Sequence, residues 1–286
     1  MPEQPCAFHP DRLTGVACSR CERPICPDDM HPAPVGIHCP VCAGKMREGT
    51  LGEAAYRARV RVERVPQVRR LTALSATKVL LGANLIVALL MFATGAPTSP
   101  RTLLRFGALP PVLDTGEWWR LFTAMFVHIG PAHLLFNMYA LWLFGQAIEQ
   151  RFGKLRFLAL YFGSGLVGSA ASLAFTEGGI RAGASGGVFG ILGAFIGVYL
   201  QHRDNVGARS QLTSLFFLVG INLFFGFTVP GIDNSAHLGG LAAGLVIGSG
   251  VEVSMRRPGG AWRVAGVGGY LVAVIIAIVL IAPNTV

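Results

Sequence analysis

The chain has 286 residues, of which 52% are hydrophobic and only 14% are charged, and its mean hydropathy is +0.53. This composition excludes an ordinary soluble enzyme and indicates a chain that lies mostly in lipid. The formal net charge of +9 does not indicate nucleic-acid binding, because the basic residues cluster beside apolar segments, as they do in cytoplasmic loops of membrane proteins. We therefore expect an all-α polytopic membrane protein with no nucleic-acid partner.

Residues 1–45 contain all six cysteines and are predicted to form a small zinc-binding domain. The candidate ligands come in four pairs, each separated by two residues, so that one turn can present both side chains to an ion: Cys6 and His9, Cys18 and Cys21, Cys26 and Asp29, Cys39 and Cys42. Eight ligands suffice for two tetrahedral structural Zn²⁺ sites. A disulfide-bonded knot is the alternative, but it requires an oxidising compartment.

The order of the pairs resembles that of B-box-like, cross-braced zinc modules, in which alternate pairs share a site. The first site then takes Cys6, His9, Cys26 and Asp29, and the second takes Cys18, Cys21, Cys39 and Cys42. Asp29 is the unusual ligand, because a carboxylate stands where a thiolate or an imidazole is expected. The sequence leaves open whether Asp29, His31 or His38 completes the first site.

Residues 46–73 are polar and rich in arginine, and we expect a basic juxtamembrane linker there. Its charge is explained by membrane topology, although arginines near a bilayer also attract anionic headgroups. The first residues lack the basic start and apolar core of a cleavable signal peptide, so we expect the first apolar helix to direct insertion.

Seven apolar segments follow, most of them long enough to cross a bilayer with about 20 residues. They lie at roughly 75–95, 121–149, 157–176, 183–200, 211–229, 235–251 and 264–282. The first six belong to a core spanning 74–251, and 252–286 would hold a linker and a seventh transmembrane helix. Basic residues flank alternate ends of the segments, which predicts a cytoplasmic N-terminus and an extracytoplasmic C-terminus. A cytosolic cysteine module is reduced, which favours zinc over disulfides.

Ser185 and His237 each open a glycine-rich apolar segment, and ionisable or nucleophilic side chains in a membrane suggest a functional site. The topology places both at the outer ends of their segments, at similar depth. Glycines at intervals of three or four residues after each of them would let the two helices approach closely. We therefore expect the imidazole of His237 to reach the hydroxyl of Ser185, as a base must do to activate a nucleophile.

His133 and Asn137 are spaced i, i+4 and project from one face of the second segment. Together with the backbone N–H of Ser185 they could stabilise the oxyanion of a tetrahedral intermediate, at roughly 3 kcal/mol per donor. The alternative is that they only hold helices together. Asp233 precedes His237 by four residues, which could suggest the acid of a catalytic triad, but we expect it in the loop before the helix begins. It, Asn234 and Ser235 would instead act as helix caps.

These motifs resemble those of the rhomboid intramembrane serine proteases. Gly183-Ala184-Ser185-Gly186 is similar to the nucleophile motif of the family, and Ala236-His237-Leu238-Gly239-Gly240 with Gly244 is similar to its base motif. The His133-x3-Asn137 pair resembles its oxyanion pair, Trp119-Arg120 its first-loop signature, His128 a further histidine and Glu149 a carboxylate at the inner end of the second helix. Phe189 departs from the pattern, since the family often has tyrosine there, but a phenyl ring can still stack on His237.

The resemblance covers residues 75–251 and implies a six-helix catalytic core with a Ser185–His237 dyad, supported by Phe189, His128 and Gly183. It implies an endopeptidase that needs no metal for catalysis and cleaves transmembrane proteins near the outer membrane face. The rival function is a catalytically silent rhomboid-like adaptor whose zinc module recruits a cytosolic partner, and the intact dyad argues against it.

Overall fold

The computed structural model describes residues 4–45, 75–114, 116–204 and 206–256. It divides into two compact units, Met1–Ala73 and Leu74–Val286. The predicted linker at 46–73 and the predicted seventh helix at 264–282 lie outside the described residues.

In its described part, residues 4–45, the N-terminal unit contains two small hairpins and a single 3₁₀ turn. Strand β1 (Gln4–Pro5) pairs antiparallel with β2 (Leu13–Thr14), and β3 (His31–Pro32) pairs antiparallel with β4 (Ile37–His38). A 3₁₀ turn, Pro27–Asp29, lies between the hairpins. The buried apolar cluster of this unit consists of four of its cysteines with Phe8 and Ile25, which is a very small apolar core. Units of this size usually need metals or disulfides for stability.

The second unit is all-helical in its described part, as the sequence predicts. Its helices are α1 (Ala76–Thr94), α2 (Pro100–Arg105), α3 (Arg120–Thr123), α4 (Gly130–Ala140), α5 (Gln146–Phe152), α6 (Lys154–Phe175), α7 (Ser185–Leu200), α8 (Val206–Thr228) and α9 (Asn234–Arg256). A 3₁₀ turn, Ala124–Phe126, follows α3, and a π-helical turn, Leu141–Gly145, joins α4 to α5.

The lengths and hydropathies of these helices indicate a multi-pass membrane protein. Among the described residues, four helices are long and apolar enough to cross a bilayer, and a fifth span results if one bent pair is counted as one. Helix α7 is shorter, with 16 residues. It is also the most enclosed, because twelve of its residues are buried.

The second apolar segment was predicted as one stretch over 121–149, and the structure shows that this is wrong. The chain bends by 91° between Arg120–Phe126 and Gly130–Phe152. Gly130 has φ of +79°, in the left-handed region that favours glycine, and Pro131 follows in the first turn of α4. Because of the bend, α4 is a separate helix that begins at Gly130, three residues before His133.

Glycines bring α7, α6 and α9 into backbone contact. A methyl group added at Gly240 would lie 2.1 Å from the carbonyl oxygen of Gly186, and one at Gly168 would lie 2.8 Å from that of Ala236. Gly244 meets Gly190 in the same way, at 2.0 Å, so α7 and α9 run in the same direction and begin at the same end of the bundle. Small residues allow this approach, as in other membrane helix pairs.

Glu149 fixes the start of α1. Its carboxylate accepts hydrogen bonds from the backbone N–H groups of Ala76 and Thr77, at 2.7 and 2.8 Å, and from the Thr77 hydroxyl at 2.7 Å. A carboxylate at a helix N-terminus satisfies unpaired N–H groups and complements the helix dipole. Glu149 therefore joins the second apolar segment to the first at the end of the bundle opposite to Ser185.

Candidate active site

Ser185 is the first residue of α7 and is partly exposed, although most of that helix is buried. The first N–H groups of a helix have no partner within the helix, and they point toward its N-terminal end. They form a natural site for negative charge. The hydroxyl of Ser185 and unpaired backbone donors therefore lie at the same end of α7.

The loop before α7 depends on Gly183. Its φ of +136° is a conformation that L side chains rarely adopt, and its N–H donates to the carbonyl of Ala124 at 2.9 Å. A methyl group at this position would lie 2.7 Å from Nε2 of His133. Gly183 is thus required both by the backbone and by the imidazole that packs against it.

His237 lies in the first turn of α9 and is 8% exposed. Its ring stacks on the ring of Phe189, with centroids 4.1 Å apart and planes 8° from parallel. Phe189 is one turn after Ser185 on the same face of α7, and helical side chains lean toward the N-terminus. The stack therefore brings the imidazole to the part of α7 that carries Ser185.

Two histidines of the bent segment contact the same loop. Nδ1 of His133 accepts a hydrogen bond from the N–H of Ile129 at 3.3 Å, so a neutral His133 carries its proton on Nε2, which faces Gly183. His128 accepts from the N–H of Ala184 at 3.4 Å, and its ring meets that of His133 edge-on at 5.1 Å. The structure thus brings the predicted residues His128, His133 and Gly183 together.

Asn137 lies one turn after His133 in α4, as its spacing predicts. Its amide donates to the carbonyl of His133 at 2.9 Å, which is a bond within its own helix. The amide group of asparagine has a second N–H. The described contacts therefore place Asn137 beside His133 without joining its side chain to the loop of Ser185.

Asp233 lies just before α9, as expected, and its carboxylate caps that helix by accepting from the N–H of Ala236 at 3.1 Å. The expectation that Asn234 or Ser235 also caps α9 is wrong for Asn234, whose amide donates instead to the carbonyl of Leu223 in α8 at 3.1 Å. One aspartate is sufficient, because a single carboxylate oxygen satisfies the N–H of the third helical residue.

Arg120 of the Trp119-Arg120 pair organises the first loop. Its guanidinium donates to the carbonyls of Leu104 and Ala108, at 2.8 and 3.1 Å, and to the Glu117 carboxylate at 2.9 Å. It also lies 4.5 Å from the ring centroid of Trp119. The contacts of this pair are structural, and all of them lie within the loop between α1 and α4.

The N-terminal unit holds two groups of four side chains that could each hold a metal ion. They are Cys6, His9, Cys26 and Asp29, and Cys18, Cys21, Cys39 and Cys42, with the ligand atoms of each group within 4.8 Å of one another. Asp29, rather than His31 or His38, takes the fourth place in the first group. This is the alternating arrangement of pairs that the resemblance to cross-braced zinc modules predicts.

The distances to sulfur within the groups are close to those of tetrahedral coordination, whereas Nδ1 of His9 and Oδ2 of Asp29 are 2.8 Å apart, which is a hydrogen-bond distance. Zn–S bonds of about 2.3 Å and Zn–N bonds of about 2.0 Å separate neighbouring ligand atoms by roughly 3.3–3.8 Å. Asp29 Oδ2 lies 3.2 Å from the sulfur of Cys6 and 3.3 Å from that of Cys26, and the sulfurs of Cys21 and Cys39 are 3.7 Å apart. The donor set fits a borderline-soft cation such as Zn²⁺.

Backbone N–H groups support the sulfurs in the same way in both groups. The N–H of Cys26 donates to the sulfur of Cys6 at 3.3 Å, and that of Cys39 donates to the sulfur of Cys18 at 3.2 Å. Burial raises the pKa of the Cys18 thiol, but backbone N–H groups of Cys39, Arg20 and Cys21 outweigh it and lower the pKa to about 6. The thiolate is the form that binds metals.

Sequence reasoning missed several polar residues around the loop of Ser185, chiefly Arg181, Ser172 and Thr176. Arg181 is 7% exposed and donates to four backbone carbonyls. The hydroxyls of Ser172 and Thr176 both donate to Asp233. Four of these six contacts join residues that are 57 to 71 positions apart in the chain, so no spacing or periodicity indicates them.

Residues 115–252 match the family model of the rhomboid domain. The rhomboid protease GluP of Bacillus subtilis is 43% identical over 169 residues, which cover 59% of this chain and 33% of the relative. RHOMBOID-like protein 6, mitochondrial, of Arabidopsis thaliana is 37% identical over 168 residues, or 58% of this chain and 53% of the relative. RHOMBOID-like protein 1 of the same plant is 41% identical over 153 residues. The chain thus spans a third to about half of the relatives' lengths.

Proposed function

We propose that this chain, which belongs to the rhomboid family through its rhomboid domain at residues 115–252, is an intramembrane serine endopeptidase. One observation carries the proposal: the ring of His237 stacks at 4.1 Å on Phe189, one helical turn from Ser185. A buried imidazole held beside the exposed end of a serine-bearing helix is the arrangement that nucleophilic catalysis requires. Similarity to a relative named as a rhomboid protease supports the same activity.

In the proposed reaction His237 takes the proton from the hydroxyl of Ser185 as the oxygen attacks the scissile carbonyl carbon. The carbonyl π electrons move to its oxygen, and a tetrahedral intermediate forms. His237 then gives its proton to the leaving amine, and the C–N bond breaks to leave an acyl-enzyme. Water hydrolyses the ester with His237 again acting as base, which frees Ser185.

The oxyanion of the intermediate needs donors at the outer end of α7. The backbone N–H of Ser185 and the Nε2–H of His133 are the two best placed, and Asn137 is the third candidate. Donors fixed in advance stabilise developing charge without reorganisation during the reaction. His128 assists by holding the N–H of Ala184, the residue before Ser185, and Gly183 leaves room for the His133 ring.

The substrates we propose are transmembrane proteins that are cleaved near the outer membrane face. The protein is multi-pass. Its basic residues flank alternate ends of its apolar segments, which supports the proposal of a cytoplasmic N-terminus with Ser185 toward the outside. A peptide bond in an intact helix is shielded by its own hydrogen bonds. Substrates with residues that weaken a helix near the cleavage site would therefore be preferred.

For the N-terminal unit we propose two structural Zn²⁺ ions, one in each group of four ligands. Zinc would replace the apolar core that a unit of this size does not build. The catalytic residues proposed above all lie in the other unit, and the proposed chemistry uses no metal.

Reaction with a fluorophosphonate probe tests the proposed protease directly. The purified full-length protein in detergent should be labelled covalently at Ser185, and the Ser185→Ala variant should not. A catalytically silent membrane adaptor would remain unlabelled while still folded. Absence of labelling in a folded wild-type protein, or labelling that persists in Ser185→Ala, would contradict the proposal.

A further inference from the structure

We infer that Asp233 is a positioning residue for His237, acting through a polar network that joins the helix of the base to the loop of the nucleophile. The network, called here the outer clasp, consists of Asp233, Ser172, Thr176 and Arg181. This inference rests on the proposed function, because it concerns the dyad of Ser185 and His237. It differs from a catalytic triad, in which the aspartate would bind the imidazole itself.

Both oxygens of the Asp233 carboxylate are occupied by donors other than the imidazole. Oδ1 accepts from the Thr176 hydroxyl at 2.9 Å and from the N–H of Ala236 at 3.1 Å, and Oδ2 accepts from the Ser172 hydroxyl. Nδ1 of His237 is buried and has no partner among the described residues. Asp233 therefore holds the first turn of α9 against the end of α6 and does not orient the ring by a direct bond.

Thr176 extends the clasp to the nucleophile loop. Its hydroxyl donates to Asp233, while its backbone carbonyl accepts from the guanidinium of Arg181. Arg181 also donates to the carbonyls of Gly178 and Pro110, at 3.3 and 3.1 Å. Three segments, which are the start of α9, the end of α6 and the loop before Ser185, are thus tied to one another.

The backbone at Arg181 strengthens this connection. Leu109 and Arg181 exchange both N–H···O bonds at 2.9 Å, so that the nucleophile loop pairs with the first loop. Ser185 follows Arg181 by four residues, and His237 follows Asp233 by four residues. Ser185 is therefore connected to Arg181 by a short loop, and His237 lies about one helical turn after Asp233.

Loss of the clasp should act on chemistry rather than on substrate binding. His237 lies in the first turn of α9, and an uncapped first turn frays because its N–H groups lose a partner. Displacement of a reacting group by about 1 Å lowers rates by roughly 10²-fold. The Phe189 stack still restrains the imidazole, so we expect partial rather than complete loss.

The experiment compares Asp233→Asn, Asp233→Ala and Thr176→Val in the full-length protein. Asn keeps an oxygen for the cap but removes the charge, whereas Val keeps the shape of Thr176 and its carbonyl but removes the donor to Asp233. Asp114→Ala is the matched control, because Asp114 is an exposed aspartate of the first loop. The readouts are the rate of fluorophosphonate labelling at Ser185, kcat and KM for a transmembrane substrate, and thermal unfolding in detergent.

We expect Asp233→Ala to lower the labelling rate and kcat by at least about tenfold with KM changed less than about twofold, and Asp114→Ala to match the wild type. Thr176→Val should lower labelling by about fivefold, and should have little further effect in Asp233→Ala, because both changes break the same bond. Asp233→Asn should fall between Asp233→Ala and the wild type.

The positioning role is overturned if Asp233→Asn and Thr176→Val both label Ser185 at the wild-type rate. It is also overturned if KM changes while the labelling rate does not. The same holds if Thr176→Val lowers the labelling rate by the same factor in Asp233→Ala as it does in the wild type. Should Asp233→Ala fail to fold, Thr176→Val and Asp233→Asn decide the matter alone. A wild-type protein that is not labelled at Ser185 contradicts the proposed protease instead, so the two failures are distinguishable.

Discussion

The carbonyl oxygen of Gly190 occupies the space that a side chain on Gly244 would need. A methyl group added at Gly244 would lie 2.0 Å from that oxygen and 2.4 Å from the Cα of Gly190. The neighbour is backbone rather than the end of a flexible side chain, so it cannot give way without moving a helix. This contact sets the spacing of α7 and α9, and hence the spacing of Ser185 and His237 in the proposed dyad.

We therefore predict that Gly244→Ala pushes the two helices apart. Overpacking of a close contact typically costs about 1–3 kcal/mol, and thermal unfolding in detergent should show a lower Tm. Cleavage should fall further than stability does, because the dyad spans the widened contact. Gly220→Ala is the control, since nothing lies within 4 Å of the added methyl group at that position in α8. Equal Tm and activity in both variants would refute this account of the contact.

A second prediction concerns the dyad itself. Ser185→Ala and His237→Ala should each abolish cleavage of a model transmembrane substrate in detergent, by about 10³-fold or more, while the protein stays folded. The double variant should lose no more than either single one, because the two residues act as a unit. Gel assays of cleavage, with thermal unfolding as the check on folding, measure both points. Substantial turnover by purified Ser185→Ala would remove the serine from the mechanism.

The sequence was sufficient to predict the all-α membrane fold, since long apolar segments leave few alternatives. It also predicted that Ser185 and His237 begin helices of the same direction, because the positive-inside rule fixes orientation without contacts. It did not predict the break at Gly130, because apolar composition continues through the bend. Nor did it reveal the role of Arg181, whose partners are backbone carbonyls that any residue supplies. Patterns in one chain report local periodicity, whereas such contacts depend on the tertiary arrangement.

A third prediction separates the proposed oxyanion donors from structural hydrogen bonds. His133→Ala and Asn137→Ala should lower kcat much more than they raise KM, because oxyanion donors act mainly on the transition state. Loss of about 3 kcal/mol per donor corresponds to roughly 10²-fold in rate. His133→Ala should have the larger effect, since its Nε2 faces Gly183 whereas the described bond of Asn137 is within α4. A raised KM with unchanged kcat would reassign the pair to packing or substrate docking.

A fourth prediction concerns the independence of the two units. A chain that begins near residue 70 should cleave the model substrate at a rate close to that of the full chain, because every proposed catalytic residue lies after residue 120 in the second unit. The comparison requires purified proteins in the same detergent, with Ser185→Ala in the shortened chain as the blank. A strict requirement for residues 1–45 would show that the N-terminal unit takes part in catalysis.

The last prediction distinguishes the two metal groups. Metal analysis of the purified full chain should give close to two zinc ions, and Asp29→Ala should give close to one. Asp29 is fully buried, and its Oδ2 contacts three other candidate ligands of the first group, at 2.8 Å from His9 and at 3.2 and 3.3 Å from Cys6 and Cys26. Its removal takes one ligand and one negative charge from that group alone. Asp28→Ala is the control, because Asp28 is adjacent and exposed and belongs to neither group.

Chelation should unfold the N-terminal unit, because zinc ligation would supply the stability that its small apolar core does not, while proteolysis by the membrane unit should continue. Circular dichroism of the separate unit reports its unfolding, and a gel assay reports cleavage by the full chain. Both are measured over the same range of chelator concentrations. A full complement of zinc in Asp29→Ala would show that His31 or His38 completes the first site. Absence of zinc from the wild-type protein would remove the metal proposal, and loss of cleavage together with zinc would show that the two units are coupled.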